Sequence, residues 1–294
     1  MSELTFHARP VLKRPVLVMC LSGWSNAGEV STGTHDYLAT RLRPRPLADI
    51  NPEPFFALTE ERPTANIDGG LVQELHLPLG RFSFVSTPLG EPDLILFKGP
   101  EPNFFWKRYC DLVFELVAEM KVWAVFTLGG SFDYVPHWLP PEISAVYSGP
   151  EAYELMSPVR DEVLASNYQG PVSLHTMLLV RGREMGVPVV GLWGHAPLYI
   201  QTGNLKLHRA LVEVLKTVLG LSLDTSDLTA GIAEMDRQIE DLVAKNPKLA
   251  KYIEDLKRDY QDRPEDRRKR DARRGGDGKG KIISLDAFLR RDEE

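Results

Sequence analysis

Residues 127–142 read TLGGSFDYVPHWLPPE, which places Gly129, Gly130, Asp133 and His137 within one short stretch. An imidazole titrates near neutral pH and serves as a general base, and glycine N–H groups at the end of a strand can receive an anion. Glu101 and His137 form the natural acid/base pair of such a site. Asp133 is a third candidate catalytic residue, and N–H groups near Gly28 and Gly129 are available to an anion. The same residues also have a structural reading. Glu101 precedes Pro102 and is placed to cap the following helix, while Pro136 and the Pro140-Pro141 pair stiffen a turn that packs Trp138. Both readings of His137, as catalytic or ligand residue and as structural or interface residue, stand at this point.

Companions for the pair are scarce. The chain has no G-x-x-x-x-G-K-[ST] loop, no G-x-G-x-x-G after a strand, no C-x-x-C, no H-E-x-x-H and no G-x-S-x-G elbow. These absences remove the strongest signals for a nucleotide, a metal and an activated serine, so no cofactor and no metal are expected. Ser25 and Ser131 follow glycine-containing strand ends, where a nucleophile or a helix cap equally fits.

The elements that must position these residues alternate. Residues 15–21 (PVLVMCL) form a continuous apolar run, as in a strand covered on both faces, and a Gly-turn and a helix follow. Residues 46–90 read as short antiparallel strands or hairpins. Then come DLILFKG, a helix from 101–120, VWAVFTLGG, a helix beginning near PVSLHTM, VPVVGLWG and a helix closed by Gly220. Strand–helix alternation predicts an α/β fold over residues 1–224, a three-layer α/β/α sandwich. Beyond it Leu228, Ile232, Met235, Ile239, Leu242, Leu249, Ile253, Leu256 and Tyr260 step by threes and fours, with Asn246-Pro247 dividing two helices over 225–261. Such a seam needs a cover, either the chain's own body or a partner.

Residues 262–294 begin as a charged, glycine-containing stretch that predicts a flexible tail, and end in IISLDAFLRRDEE, whose apolar spacing suits a short docking motif. The acids among its arginines, and a formal charge of −6 for the chain, argue against nucleic-acid binding. No apolar run approaches the roughly 20 residues of a membrane span, and no signal-peptide pattern opens the chain. The expected location is the cytoplasm, where Cys20 and Cys110 stay reduced and buried.

Taken in order, these clusters resemble the proteasome assembly chaperone 2 family, in its prokaryotic branch. GWSNAGEV supplies Gly23, Trp24, Asn26 and Gly28, with Asn26 where that family has aspartate. LFKGPEPNFFW supplies Gly99, Glu101, Pro102 and Trp106. TLGGSFDYVPHWLPP is similar to the family's V-P-H stretch at Pro136 and His137, with Trp138-Leu139 replacing Thr-Arg. NYQGP gives Tyr168, Gly170 and Pro171, and HAPLYI gives Pro197 and Tyr199, with Leu198 where histidine is expected.

The resemblance implies a fold like that of the nucleoside phosphorylases with a C-terminal helical extension, and a homo-oligomer, with a trimer among its forms. It also implies a non-enzymatic protein-binding or assembly-chaperone role, with an unknown partner engaged through the helical extension or the tail. The chain ends Asp292-Glu293-Glu294, without the hydrophobic-Tyr ending that the family's archaeal members use to dock on proteasomes. The alternative is a phosphorylase- or hydrolase-like enzyme, or a small-molecule binder, using the strand-end crevice.

Overall fold

A computed structural model describes residues 3–262. Its first strands are β1 (Leu4–Phe6) and β2 (Val16–Ser22), followed by helix α1 (Val30–Leu42). Next come β3 (Arg45–Ile50), β4 (Thr64–Asp68), β5 (Leu71–His76), β6 (Gly80–Val85) and β7 (Leu94–Pro100), then α2 (Trp106–Glu119) and β8 (Ala124–Asp133). After these lie β9 (Ile143–Tyr147), α3 (Pro150–Leu155), β10 (Leu164–Ala165), α4 (Leu174–Met185) and β11 (Val189–Pro197). Three helices close the described chain, α5 (Leu205–Leu219), α6 (Leu228–Lys245) and α7 (Pro247–Asp262).

A nine-stranded sheet carries the fold, in the order β1-β3-β6-β7-β2-β8-β11-β9-β10. Its centre, β7-β2-β8-β11, is parallel, and antiparallel pairings begin at β6 and at β9. Central parallel strands are covered on both faces, and this explains why 16–21 is apolar without alternation. Leu17, Met19 and Leu21 face the side on which α2 and α4 bury Tyr109, Val113, Leu116, Leu174 and Leu178. Val16, Val18 and Cys20 face the other side, against Val30 and Leu38 of α1 and Leu207, Leu211 and Leu215 of α5. Both cysteines are buried and unpaired, and burial pushes the Cys20 thiol up to about 12.

Helix α5 shows local sequence and tertiary packing agreeing. The Asn204 side chain accepts from the Leu207 N–H at its start, and Gly220 ends it at φ +69. Residues 46–90 divide in a way their short pattern does not reveal. β3 and β6 join the main sheet, while β4 and β5, among the described residues, pair only with each other.

Helices α6 and α7 pack on the body of the same chain. Ile239, Leu249, Ile253 and Leu256 bury against Tyr199 and Ile200, with Trp138, Met235, Val243, Tyr252 and Tyr260 around them. The seam read from spacing holds except at Leu242, which points outward while Val243 packs in its stead. The tail from 263 onward, with its expected linker and docking motif, lies outside the described residues.

Candidate functional site

The C-terminal ends of β2, β7, β8 and β11 gather most of the candidate residues. After β2 the chain turns at Gly23 and runs beside β8, where the Gly130 N–H donates to the Ser25 carbonyl at 2.7 Å and Asn26 bridges Gly130. That N–H is committed to the backbone. Asn26 acts as a local cap, its Oδ1 accepting from the Ser31 and Thr32 N–H groups at 2.9 and 3.1 Å while its Nδ2 donates to Thr32 Oγ1. Gly28, at φ +58, lets the turn settle on Ala196 of β11. Trp24 is left exposed.

Glu101 follows β7, opposite the turn at Gly23. Its Oε1 accepts from the Leu174 N–H at 2.6 Å, so it caps α4 rather than the helix that follows it in sequence. Burial raises its pKa and that hydrogen bond lowers it, with burial the larger effect. Pro102 gives its carbonyl to Trp106 Nε1 at 2.6 Å. Gly99 lies against Gly80 and Leu79 of the neighbouring chain segment, and Gly129 against the Trp193 ring. The Tyr168 hydroxyl donates to the Pro171 carbonyl at 2.7 Å across Gly170, closing the turn that leads to α4.

His137 and Asp133 belong to two different networks. The Tyr199 hydroxyl accepts from the His137 backbone N–H at 2.9 Å and donates to its Nδ1 at 2.7 Å. Desolvation, then Lys206, depress the His137 imidazole to about 4, so it is neutral at pH 7. Its carbonyl accepts from Lys206 Nζ, which pairs with Asp236 of α6 at 2.6 Å. Trp138 stands edge-on to His137 and beneath Lys257, and Tyr199 packs edge-on to Tyr252 of α7. The loop carrying Pro136 and His137, together with Tyr199 just past Pro197, is therefore the seat of the helical extension.

Asp133 instead accepts from His195 Nδ1 at 3.2 Å, and His195 Nε2 lies 2.9 Å from the Ser144 hydroxyl. The carboxylate fixes the tautomer, so Nε2 is left to accept from serine, the hydrogen-bond order of a Ser-His-Asp relay. Ser144 is only 6% exposed. The cavity beside His195, bounded by Pro136, His137, Pro140 and Glu142, holds about 20 Å³, room for about one water. Glu101 does not enter either network. The relay escaped sequence reasoning because its members come from three strands, and only antiparallel β9 brings Ser144 level with Trp193.

Ser25 is also fully buried, with His175 Nε2 3.1 Å from its hydroxyl, and His175 lies 5.1 Å from the Trp193 ring. Desolvation lowers His175 to about 4, below the roughly 6.5 of an unfolded histidine. Between those values the unfolded chain takes up a proton that the folded chain refuses, so the stabilisation is full above about pH 6.5 and is lost as pH falls. Wild type is expected to lose roughly 2 kcal/mol from this group between pH 7 and pH 5. His35, His137 and His208, also depressed mainly by burial, add to the loss. Urea denaturation at the two pH values checks this, and an unchanged pH slope in His175→Leu would show that His175 is not responsible.

Among the described residues no group of three or more His, Cys, Asp or Glu side chains is placed to hold a metal ion, and no helix is long and apolar enough to cross a membrane. Fold and site together define an α/β protein with a large central sheet, whose strand-end polar residues mostly bond to one another and seat a helical hairpin. The PAC2 family model matches residues 20–243, and the chain belongs to that family.

Solved structures agree. A PAC2 family protein from Streptomyces avermitilis superposes with a TM-score of 0.73 at 26% identity, covering 81% of this chain and 99% of its own. A proteasome-assembly chaperone homologue from Mycobacterium tuberculosis gives the same four values. A second Mycobacterium tuberculosis protein, of unknown function, reaches 0.78 at 25% identity over 89% of this chain and 92% of its own. Among curated proteins none matches.

Proposed function

We propose that the protein is a non-enzymatic, protein-binding, assembly-chaperone-like member of the PAC2 family that acts as a homo-oligomer in the cytoplasm, without cofactor or metal. The carrying observation is its membership of a family in which a relative of 26% identity is described as a proteasome-assembly chaperone homologue. Supporting it, Glu101 caps a helix, and His137 and Tyr199 hold α6 and α7 in place. Residues 1–224 form the body, 225–261 the helical extension and 262–294 a tail. The partner is engaged by the outer face of the extension or by the tail, since the inner seam is already covered by the body.

A second reading, a hydrolase-like enzyme on a phosphorylase-like fold, draws on the Ser144–His195–Asp133 relay. The burial of Ser144 and the small cavity beside its histidine weigh against it.

One experiment separates the two. Full-length protein and a form ending at residue 262 are used as baits, and bound proteins are identified by mass spectrometry. The same protein capturing on the full-length bait and lost on the short one supports a tail-borne partner, and capture on both places the contact on the extension. A copurifying metabolite without any protein partner, or fluorophosphonate labelling confined to Ser144, would transfer the function to the enzyme reading.

A further inference from the structure

Glu101 has half of its carboxylate to spare. Its Oε1 accepts from the Leu174 N–H, and among the described residues no cation pairs with either oxygen. Burial works against this charge, which therefore lacks a full counterpart. An uncovered apolar surface surrounds it. Trp24 follows the turn at Gly23 that abuts Glu101, Phe104 and Phe105 come shortly after Glu101 in sequence, and Tyr168 and Val172 precede the helix that Glu101 caps. All five side chains are exposed. Phe105 also holds φ +54, a left-handed conformation that an aromatic residue rarely adopts. Together the five leave roughly 500 Å² of apolar surface in water, a size at which a patch normally marks an interaction site.

An occupant that fits is apolar and carries a cation. The chain supplies such a segment itself. Residues 282–291, IISLDAFLRR, place Ile282, Leu285, Phe288 and Leu289 at helical spacing and follow them with Arg290 and Arg291. A guanidinium both pairs with a carboxylate and stacks on aromatic faces, so aromatic rings around a lone carboxylate suit it. Reach favours the same copy. Helix α7 ends at Asp262, and near that end the Tyr260 hydroxyl bonds the Tyr134 carbonyl just beyond β8. β8 lies beside β2, whose end leads to Trp24, so the chain leaves the body at the sheet end that holds the patch. Neighbouring strands lie about 4.8 Å apart. The 19 residues from 263 to 281 extend to about 60 Å, so the tether does not limit the contact. A segment held in this way has an effective concentration on the order of millimolar.

We propose that residues 282–291 dock on the body of their own copy, setting their apolar stripe on the surface made by Trp24, Phe104 and Phe105 and pairing Arg290 or Arg291 with Glu101. The docked segment shields the patch, and a partner that engages the tail has to draw it off this seat. The contact requires neither the partner nor the oligomer of the proposed function, so the purified full chain alone tests it and failure of either leaves it standing.

Hydrogen exchange of the full chain, read by mass spectrometry at sub-micromolar concentration, should show the amides of 282–291 protected at least roughly tenfold over a free peptide of the same sequence. Trp24→Asp should bring that protection down to about twofold or less. Glu101→Gln, which keeps an acceptor for the Leu174 N–H, and Arg290→Ala combined with Arg291→Ala should each lower it severalfold. Exchange in the central strands β2 and β8 should stay at the wild-type level in all three, which shows that the body is still folded. A chain carrying both Phe105→Cys and Phe288→Cys should close a disulfide within itself on oxidation, since Cys20 and Cys110 are buried. Protection indifferent to Trp24→Asp would overturn the proposal, and so would disulfides formed only between chains, which would seat the tail on a second copy. Unprotected 282–291 in the purified wild type would overturn it too, leaving the patch to a foreign protein.

Discussion

Gly130→Ala is expected to destabilise the protein by about 3 kcal/mol, at the upper end for an added core atom, and to lower its melting temperature by roughly 5–10 °C. A Cβ at that position would sit 2.5 Å from the Ala27 carbonyl oxygen and 2.8 Å from Val30 Cβ. The first of these is backbone, held by the Gly130 N–H to Ser25 bond and by the Asn26 bridge, so nothing flexible can move aside. Relief requires lifting the β2–α1 turn off β8. That in turn exposes the buried Ser25–His175 contact. Gly129→Ala is the control, since its new methyl would meet the Trp193 ring first, at 2.9 Å, and a side chain can tilt. Thermal denaturation of both variants measures the contrast. A Gly130→Ala protein that melts within about 2 °C of wild type would mean that the turn is looser than described.

Ile253→Asp is expected to detach the helical extension while leaving the sheet intact. Ile253 is buried in the cluster that α6 and α7 make with Tyr199 and Ile200, and a carboxylate there would have neither partner nor water. Keeping the helices docked would cost about 2–5 kcal/mol for the lost side chain alone, and more for the charge. The whole docked face rests on a handful of aliphatic side chains, each worth roughly 1.5–3 kcal/mol. The substitution therefore cancels most of the free energy that holds the extension down. Hydrogen exchange should rise throughout α6 and α7, and the bond from the Tyr260 hydroxyl to the Tyr134 carbonyl should be lost. Leu242→Asp, on the outer side of α6, should change neither. Protection of α7 undiminished in Ile253→Asp would contradict the packing described.

The same helices show how far the sequence reaches. The steps from Leu228 to Tyr260 fixed both helices and the break at Asn246-Pro247, because an apolar stripe at helical spacing is a local property. It left open whether the stripe met the chain's own body or a partner. The answer lies in Trp138 and Tyr199, residues far away in sequence whose rings make the seat. Leu242 and Val243 are equally apolar neighbours, and only the angle at which α6 meets the body decided which of them is inside.

The candidate site divides in the same manner. The turn at Gly23–Gly28, the residues at Glu101 and the V-P-H stretch were legible as strand-end clusters, since polar and Gly/Pro residues after a buried strand mark a turn wherever they occur. Which of them touch was not legible. Asp133 turns to His195, not to His137 four residues along, because β11 runs parallel beside β8 and puts Pro197 opposite Asp133. Glu101 serves a helix that begins at Leu174, across the sheet end.

By itself the sequence determined the strand–helix alternation, the buried central strands, the two terminal helices and the family, all carried by patterns within a few residues of one another. Tertiary structure alone decided the pairing of polar groups, the cover over the helical seam and the isolation of the β4–β5 arm. The physical reason is that a side chain's spacing along the chain sets the face it points to, whereas its hydrogen-bond partner depends on strand order and register. Those are fixed by the packing of the whole sheet.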